Sequence, residues 1–316
     1  MFLEKYMKNI KSDRALLDLQ TYPDYYTVTQ IINIFSERYK FMSVTSIGES
    51  ILGKQLHMLT LGNEAAQKSI LYVGSHHGCE WITTLILLRL VNELCEYYKS
   101  SKQPFGINLQ NLFSSCCIRI VPLLNPDGVD LQINGINNEN VLYDRIMRMS
   151  GGDFSKWQAN ARGVDLNHNY DAGFSEYKLI ERENGIVAGS TRYSGEAPFS
   201  EPESGALANF IRFDDSIKMI LTLHSAGEVI YYSSGGYVPE GAGSIAKKLS
   251  KLSGYNLSCP SGSAAFGGLT DWFIKEFNRP SFTIECGKGE TPLPVASYYK
   301  LYAQIREMLM WAPLLI

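Results

Sequence analysis

A chain of 316 residues with 45% hydrophobic and 19% charged residues can bury a large core, which excludes disorder as its default state. Its net charge of −3 and its singly scattered Lys and Arg provide no basic run to neutralise a row of phosphates, so no nucleic-acid partner is expected. No uncharged apolar stretch approaches the roughly 20 residues of a membrane helix; the nearest, Trp81 to Val91, is too short and carries Arg89.

The opening segment MFLEKYMKNIKSDRALLDLQ is charged every few residues and lacks the apolar run and cleavage site of a signal peptide, so export by that route is not expected. Residues 1–23 read as a polar arm and 24–316 as one folded domain. Apolar residues at helical spacing (Ile31, Ile32, Ile34, Phe35, Tyr39) predict a helix from Tyr26 to Phe41, followed by strands at Met42 to Ile47 and Gln55 to Leu61. Ser69 to Gly74 (SILYVG) reads as a buried strand that feeds a helix over Trp81 to Tyr98. Ile118 to Leu124 reads as another buried strand, stopped by Asn125-Pro126-Asp127-Gly128, a dense turn signal.

From Val129 to Glu201 the chain is polar and rich in Gly, Asn, Asp and Ser, and reads as a long loop that builds a site. A helix follows over Glu201 to Phe213, then strands at Ile217 to Leu223 and Val229 to Tyr232, a helix at Ala242 to Leu252, a strand at Ser281 to Ile284 and a closing helix at Val295 to Trp311. Strands alternating with helices predict a single α/β domain, with a mixed, mostly parallel central sheet flanked by helices. The six cysteines form no CxxC pair, and Cys116 and Cys117 adjoin in a strand, which suits free thiols in a reducing, cytoplasmic setting. Nothing in the sequence specifies an oligomeric state.

Among the five histidines, His77 follows the strand that ends at Gly74, with Glu80 three residues on, and His224 follows the strand Ile217 to Leu223. Open α/β sheets bind ligands at the carboxyl ends of their strands, where Glu285 is also delivered. Two His and one Glu form a catalytic zinc set, because three protein ligands leave a fourth position open. Spacing alone leaves alternatives standing: a lone histidine after a strand is more often a hydrogen-bonded core residue, and His76 competes with His77 as a partner for Cys79 or Glu80.

Five motifs in order carry a resemblance: His77-Gly78-Cys79-Glu80-Trp81, Asn125-Pro126-Asp127-Gly128, Gly163-Val164-Asp165-Leu166-Asn167, His224-Ser225 and Thr283-Ile284-Glu285. With the Ser46 to Lys54 turn, they resemble the carboxypeptidase A-like (M14) zinc carboxypeptidases from about Tyr25 to the C-terminus. The resemblance implies one Zn2+ on His77, Glu80 and His224, Glu285 as general acid/base, and Asp165 as the carboxylate that orients the first zinc histidine.

The chain also departs from that family. Where an Asn-Arg pair usually clamps the substrate's terminal carboxylate, it has Asn167-His168, and a histidine offers no bidentate fork. Register puts Gln158 where the family has its oxyanion arginine; Arg162, the nearest cation in sequence, is the expected catalytic cation, with Arg145 and Arg148 as alternatives that reach in from the loop. Phe266 takes the place of the substrate-capping tyrosine as a lid, and Thr270 gives the floor for the leaving residue a neutral polar character. GSHHGCEWITT, NARGVDLNHNYDAGF, HSAGEVIYY and FTIECGKGETPLP are most similar to the bacterial γ-D-glutamyl-diamino acid peptidases. That likeness implies hydrolysis of the γ-D-glutamyl-meso-diaminopimelate bond of murein peptides, with His168, Thr270, Lys288 and Glu290 replacing the standard clamp; a general metallocarboxypeptidase or an N-acyl amino-acid deacylase is the alternative.

Overall fold

The structure is a computed structural model and describes residues 22–260 and 262–316; the expected arm lies outside these up to residue 21. Eight strands, β1 (Ser43–Glu49), β2 (Gln55–Gly62), β3 (Ser69–Gly74), β4 (Cys117–Val121), β5 (Ile217–His224), β6 (Val229–Tyr231), β7 (Asn256–Ser258) and β8 (Ser281–Glu285), form one sheet in the order β1-β2-β4-β3-β5-β8-β6-β7. Strands β4, β3, β5 and β8 run parallel at its centre; β2 and β6 join them antiparallel on either side. The helices are α1 (Tyr25–Arg38), α2 (Ile82–Lys99), α3 (Leu109–Ser115), α4 (Pro126–Asn134), α5 (Tyr143–Ser150), α6 (Phe174–Asn184), α7 (Pro202–Phe213), α8 (Ala242–Ser253), α9 (Leu269–Phe277) and α10 (Tyr298–Trp311). The single α/β domain with a mixed sheet is as expected from the alternation of elements.

Strand β3 shows why its sequence is apolar throughout. Ile70 and Tyr72 face a layer that contains α1, α2, α8 and α10, whereas Leu71 and Val73 face α7 and α9. With helices on both faces, every position along the strand is buried, and each such side chain contributes about 1.5–3 kcal/mol. Helix α2 is buried on nearly all sides for its first four turns, so it too reads as a continuous apolar run.

Two expectations are corrected. Asn125-Pro126-Asp127-Gly128 is not a turn between elements but the start of α4: the Asn125 side chain accepts from the Gly128 N–H at 2.9 Å, Pro126 opens the helix and Asp127 sits in its first turn. Turns and helix starts draw on the same residues, and spacing does not separate them. Residues 129–201 are likewise not one loop, because they hold the rest of α4 together with α5 and α6. Helices α5 and α6 both end on left-handed glycines, Gly151 and Gly185. Helix α9, which begins at Leu269, and helix α3 were not anticipated.

Two motifs distant in sequence cross backbone on backbone. A Cβ at Gly78 would lie 2.4 Å from the Gly128 carbonyl oxygen, and one at Gly128 would lie 2.3 Å from that of Ala159. Only glycines permit this approach. Across the same junction the buried Asn125 amide donates to the His76 carbonyl at 3.0 Å and to the Gln158 carbonyl at 3.1 Å.

Asn125→Ala therefore removes a helix cap and two buried hydrogen bonds together, and is expected to cost about 2–4 kcal/mol. The urea midpoint should fall accordingly, and Asn125→Asp, which keeps the cap but loses both donors, should not restore it. A midpoint unchanged in Asn125→Ala would remove this residue from its joining role.

Candidate metal centre and catalytic cleft

At the end of β3 the chain turns through Ser75, whose N–H is caught by Thr83 Oγ1 at 2.9 Å. It then extends at His77 and winds one 3-10 turn, Gly78–Glu80, into α2. That turn brings side chains three apart together: His77 Nδ1 lies 2.9 Å from Glu80 Oε1. From the end of β5, His224 Nδ1 comes within 3.0 Å of Glu80 Oε2. The three donor atoms lie within 4.8 Å of one another, the one such group of three among the described residues. His76 is directed elsewhere, its Nε2 to the Tyr170 hydroxyl at 3.1 Å and its Nδ1 to Thr222 Oγ1 at 3.2 Å, so the ambiguity between the neighbouring histidines resolves towards His77.

His77 Nε2 faces Asp165 Oδ1 at 3.0 Å. An Nε2–H donated to that carboxylate leaves the Nδ1 lone pair free, the tautomer a metal requires. Asp165 is held in turn by the backbone N–H groups of Asn167 and Arg192, each at 3.1 Å. Burial alone would raise the Glu80 and Asp165 carboxyls, but the imidazoles beside them keep both well below the usual carboxylate range. Burial would lower His77, yet these two carboxylates push it up. Two ionised carboxylates around one histidine, with a second imidazole converging, fit a divalent cation such as zinc in donor type and in charge.

Glu285 ends β8, and the parallel register sets it directly beside His224. Its carboxyl is pushed up to about 6 by burial, with nearby Glu80 adding to the rise against His224 and His77. Gly227 makes room for it, since a Cβ there would lie 3.1 Å from Glu285 Cβ. These four side chains share a cavity of about 320 Å³ with Gln158, Asp165, Asn167, His168, Arg192, Thr270 and Asp271.

The expected substrate contacts fall in different places. Asn167, His168 and Thr270 line the cavity. Asn167 Oδ1 accepts from Leu269 N–H at 3.2 Å, which ties it to the start of α9. His168 stacks on Tyr177 with ring centroids 4.1 Å apart, and its Nδ1 meets the Phe266 carbonyl at 2.8 Å. Burial lowers its pKa, so it brings no cation. Thr270 Oγ1 accepts from Thr283 Oγ1 at 2.9 Å, completing a neutral polar floor.

Arg162 is not brought to this cavity. Its guanidinium lies 3.7 Å from Glu201, in a separate groove between β1 and α7. Phe266 also departs from its expected role: its ring packs over Gly173 and lines a neighbouring cavity of about 500 Å³, and only its carbonyl turns towards the cleft.

Three residues of the cleft were not anticipated in a role there. Thr191 donates to Gln158 Oε1, fixing that amide at the cavity wall. Asp271 is buried beneath the floor and pushed up to about 7 by burial, against a hydrogen bond from Ser234. Arg192 is exposed at the rim. Thr191 and Arg192 come from the stretch read as loop, where no periodicity or spacing points inward.

Asp165→Asn should weaken metal binding about 10–100-fold, because the amide lacks the charge that keeps His77 oriented and basic. Competition with a chromogenic chelator measures this, and an affinity equal to the parent's would rule the orienting role out.

Residues 28–308 match the peptidase M14 zinc carboxypeptidase family. The chain is 32% identical to the γ-D-glutamyl-L-diamino acid endopeptidase 1 of Lysinibacillus sphaericus, over 89% of this chain and 69% of that protein. Its fold superposes on the carboxypeptidase A of Helicoverpa armigera with a TM-score of 0.71 at 19% identity, covering 99% of this chain and 78% of that one. The murein-tripeptide amidase of Escherichia coli O157 aligns with a TM-score of 0.50 at 20% identity, over 86% and 91% of the two chains. A match across nearly the whole domain, together with a converging His-Glu-His group, leads to one conclusion: the chain belongs to the zinc carboxypeptidase family, whose members use a single zinc ion.

Proposed function

We propose that this chain hydrolyses the γ-D-glutamyl-meso-diaminopimelate bond of murein peptides, with zinc held by His77, Glu80 and His224 and with Glu285 as general acid/base. The observation that carries the reading is the character of the cleft beyond the metal group. A neutral, stacked His168 stands where a guanidinium fork would clamp a peptide end, above a floor of Thr270 and Thr283. Such a floor favours neither an aromatic nor a simple basic leaving residue, and suits one that carries further amine and carboxylate groups. The described activities of the Lysinibacillus relative and of the murein-tripeptide amidase support the same substrate class.

Zinc bound in this set supplies a Lewis acid that polarises the scissile carbonyl and acidifies water. Glu285 accepts the proton from the attacking water on its carboxylate, then delivers it to the leaving nitrogen. Gln158, its Oε1 occupied by Thr191, offers amide N–H groups to the carbonyl oxygen as charge builds there. Asn167 and Thr270 contact the leaving residue. The catalytic unit of this reading is the domain 24–316. A reducing, cytoplasmic role in turnover of wall peptides is part of the same reading, in line with six unbridged cysteines. No helix among the described residues is long and apolar enough to cross a membrane.

Mass spectrometry of products from a panel of murein stem peptides, run beside hippuryl amino acids, tests the substrate. Release of diaminopimelate-containing products is expected; cleavage of the hippuryl series alone would favour a general carboxypeptidase. Glu285→Gln should lower turnover about 10²–10⁴-fold while one zinc per chain remains, and loss of zinc would make Glu285 a ligand instead.

The base works ionised, and burial raises its pKa, so acid pH protonates it first. The acid limb of kcat/KM should therefore fall at or below about 6, since a bound cation opposes the rise. A profile flat down to pH 4 contradicts the assignment.

A further inference from the structure

The cleft is rich in carboxyl groups. Glu80, Asp165, Asp271 and Glu285 all line it, and among the described residues Arg192 is the one Lys or Arg on its wall. Arg192 is not a loosely held surface residue. Its N–H donates to Asp165 Oδ2 at 3.1 Å and its carbonyl accepts from the Tyr177 hydroxyl at 2.8 Å. Its φ of 67° is left-handed, a conformation that costs a non-glycine residue and persists here between those two bonds. The guanidinium itself stays exposed, and no carboxylate among the described residues pairs with it.

Both anchors of Arg192 belong to the site. Asp165 orients His77, and Tyr177 is the ring on which His168 stacks. The backbone of Arg192 is thus referenced to the metal group on one side and to the vacated clamp position on the other. A carboxylate entering this cleft meets, beyond the metal group, one bidentate-capable cation carried on an anchored backbone.

We propose that Arg192 receives a carboxylate of the leaving residue, taking over from a different segment the task that His168 cannot perform. The chemical class selected is an amino acid with a free carboxylate on the leaving side of the bond. The inference rests on the reading of this cleft as a peptidase site, but it does not require the murein substrate.

The test uses peptide pairs whose leaving residue bears free carboxylates or carboxamides, built on two scaffolds, γ-D-glutamyl-diaminopimelate and hippuryl-lysine. Calorimetry with the zinc-loaded Glu285→Gln protein reads binding without turnover. On whichever scaffold binds more tightly, the free acid should bind at least about tenfold better than its carboxamide. Adding Arg192→Asn, which tolerates the left-handed backbone, should bring the two within about twofold. Arg192→Lys, which keeps the charge without the fork, should retain an intermediate preference.

A preference that survives Arg192→Asn, no preference in the parent, or no binding of either scaffold at millimolar concentration overturns the proposal. Failure of the murein reading shows separately, as an intact γ-D-glutamyl peptide after incubation with the active enzyme.

Discussion

The parallel hydrogen bonding of β3, β5 and β8 is the constraint on which the cleft depends. Because the three strands point the same way in adjacent positions, their carboxyl ends open at one edge of the sheet. His77 with Glu80, His224, and Glu285 then arrive there from three segments far apart in sequence. The register between β5 and β8 sets His224 beside Glu285, and a slip of one residue would turn one of the two towards the opposite face. Strand β5 is buried at all but one of its positions, which makes such a slip costly, so the apolar core fixes where these side chains meet.

Around this edge the polar groups are arranged in a chain. Asp165 orients His77, and backbone N–H groups hold Asp165. Asn125 ties the loop before His77 to the segment carrying Gln158, where two glycines let the backbones cross. None of these links is strong alone. Each satisfies a buried group that would otherwise be costly, and together they leave the His77 and Glu80 side chains few alternative positions.

Much of this was legible in the sequence where pattern and physics agree. SILYVG predicted β3 to the residue, and the strands that deliver His224 and Glu285 were read to within one position, because a two-sided core demands uninterrupted apolar runs. The start of α4 was not legible: Asn, Pro, Asp and Gly serve a turn and a helix cap equally well. The region between α4 and α7 was harder still, since its short helices are capped by glycines and hold few buried positions. Arg162 was expected in the cleft by nearness in sequence to Gln158, which stands where the family has its oxyanion arginine. Nearness in the chain says little inside an irregular segment, and it was Arg192, further along and paired to Asp165 through its backbone, that reached the rim.

The stack of His168 on Tyr177 has a bearing on how this cleft could change over time. The imidazole ring supports Tyr177, and the hydroxyl of Tyr177 holds the carbonyl of Arg192. A substitution at position 168 therefore also disturbs the seat of residue 192, and the effects of changing the two should not add. A change at either position is felt at the other through packing.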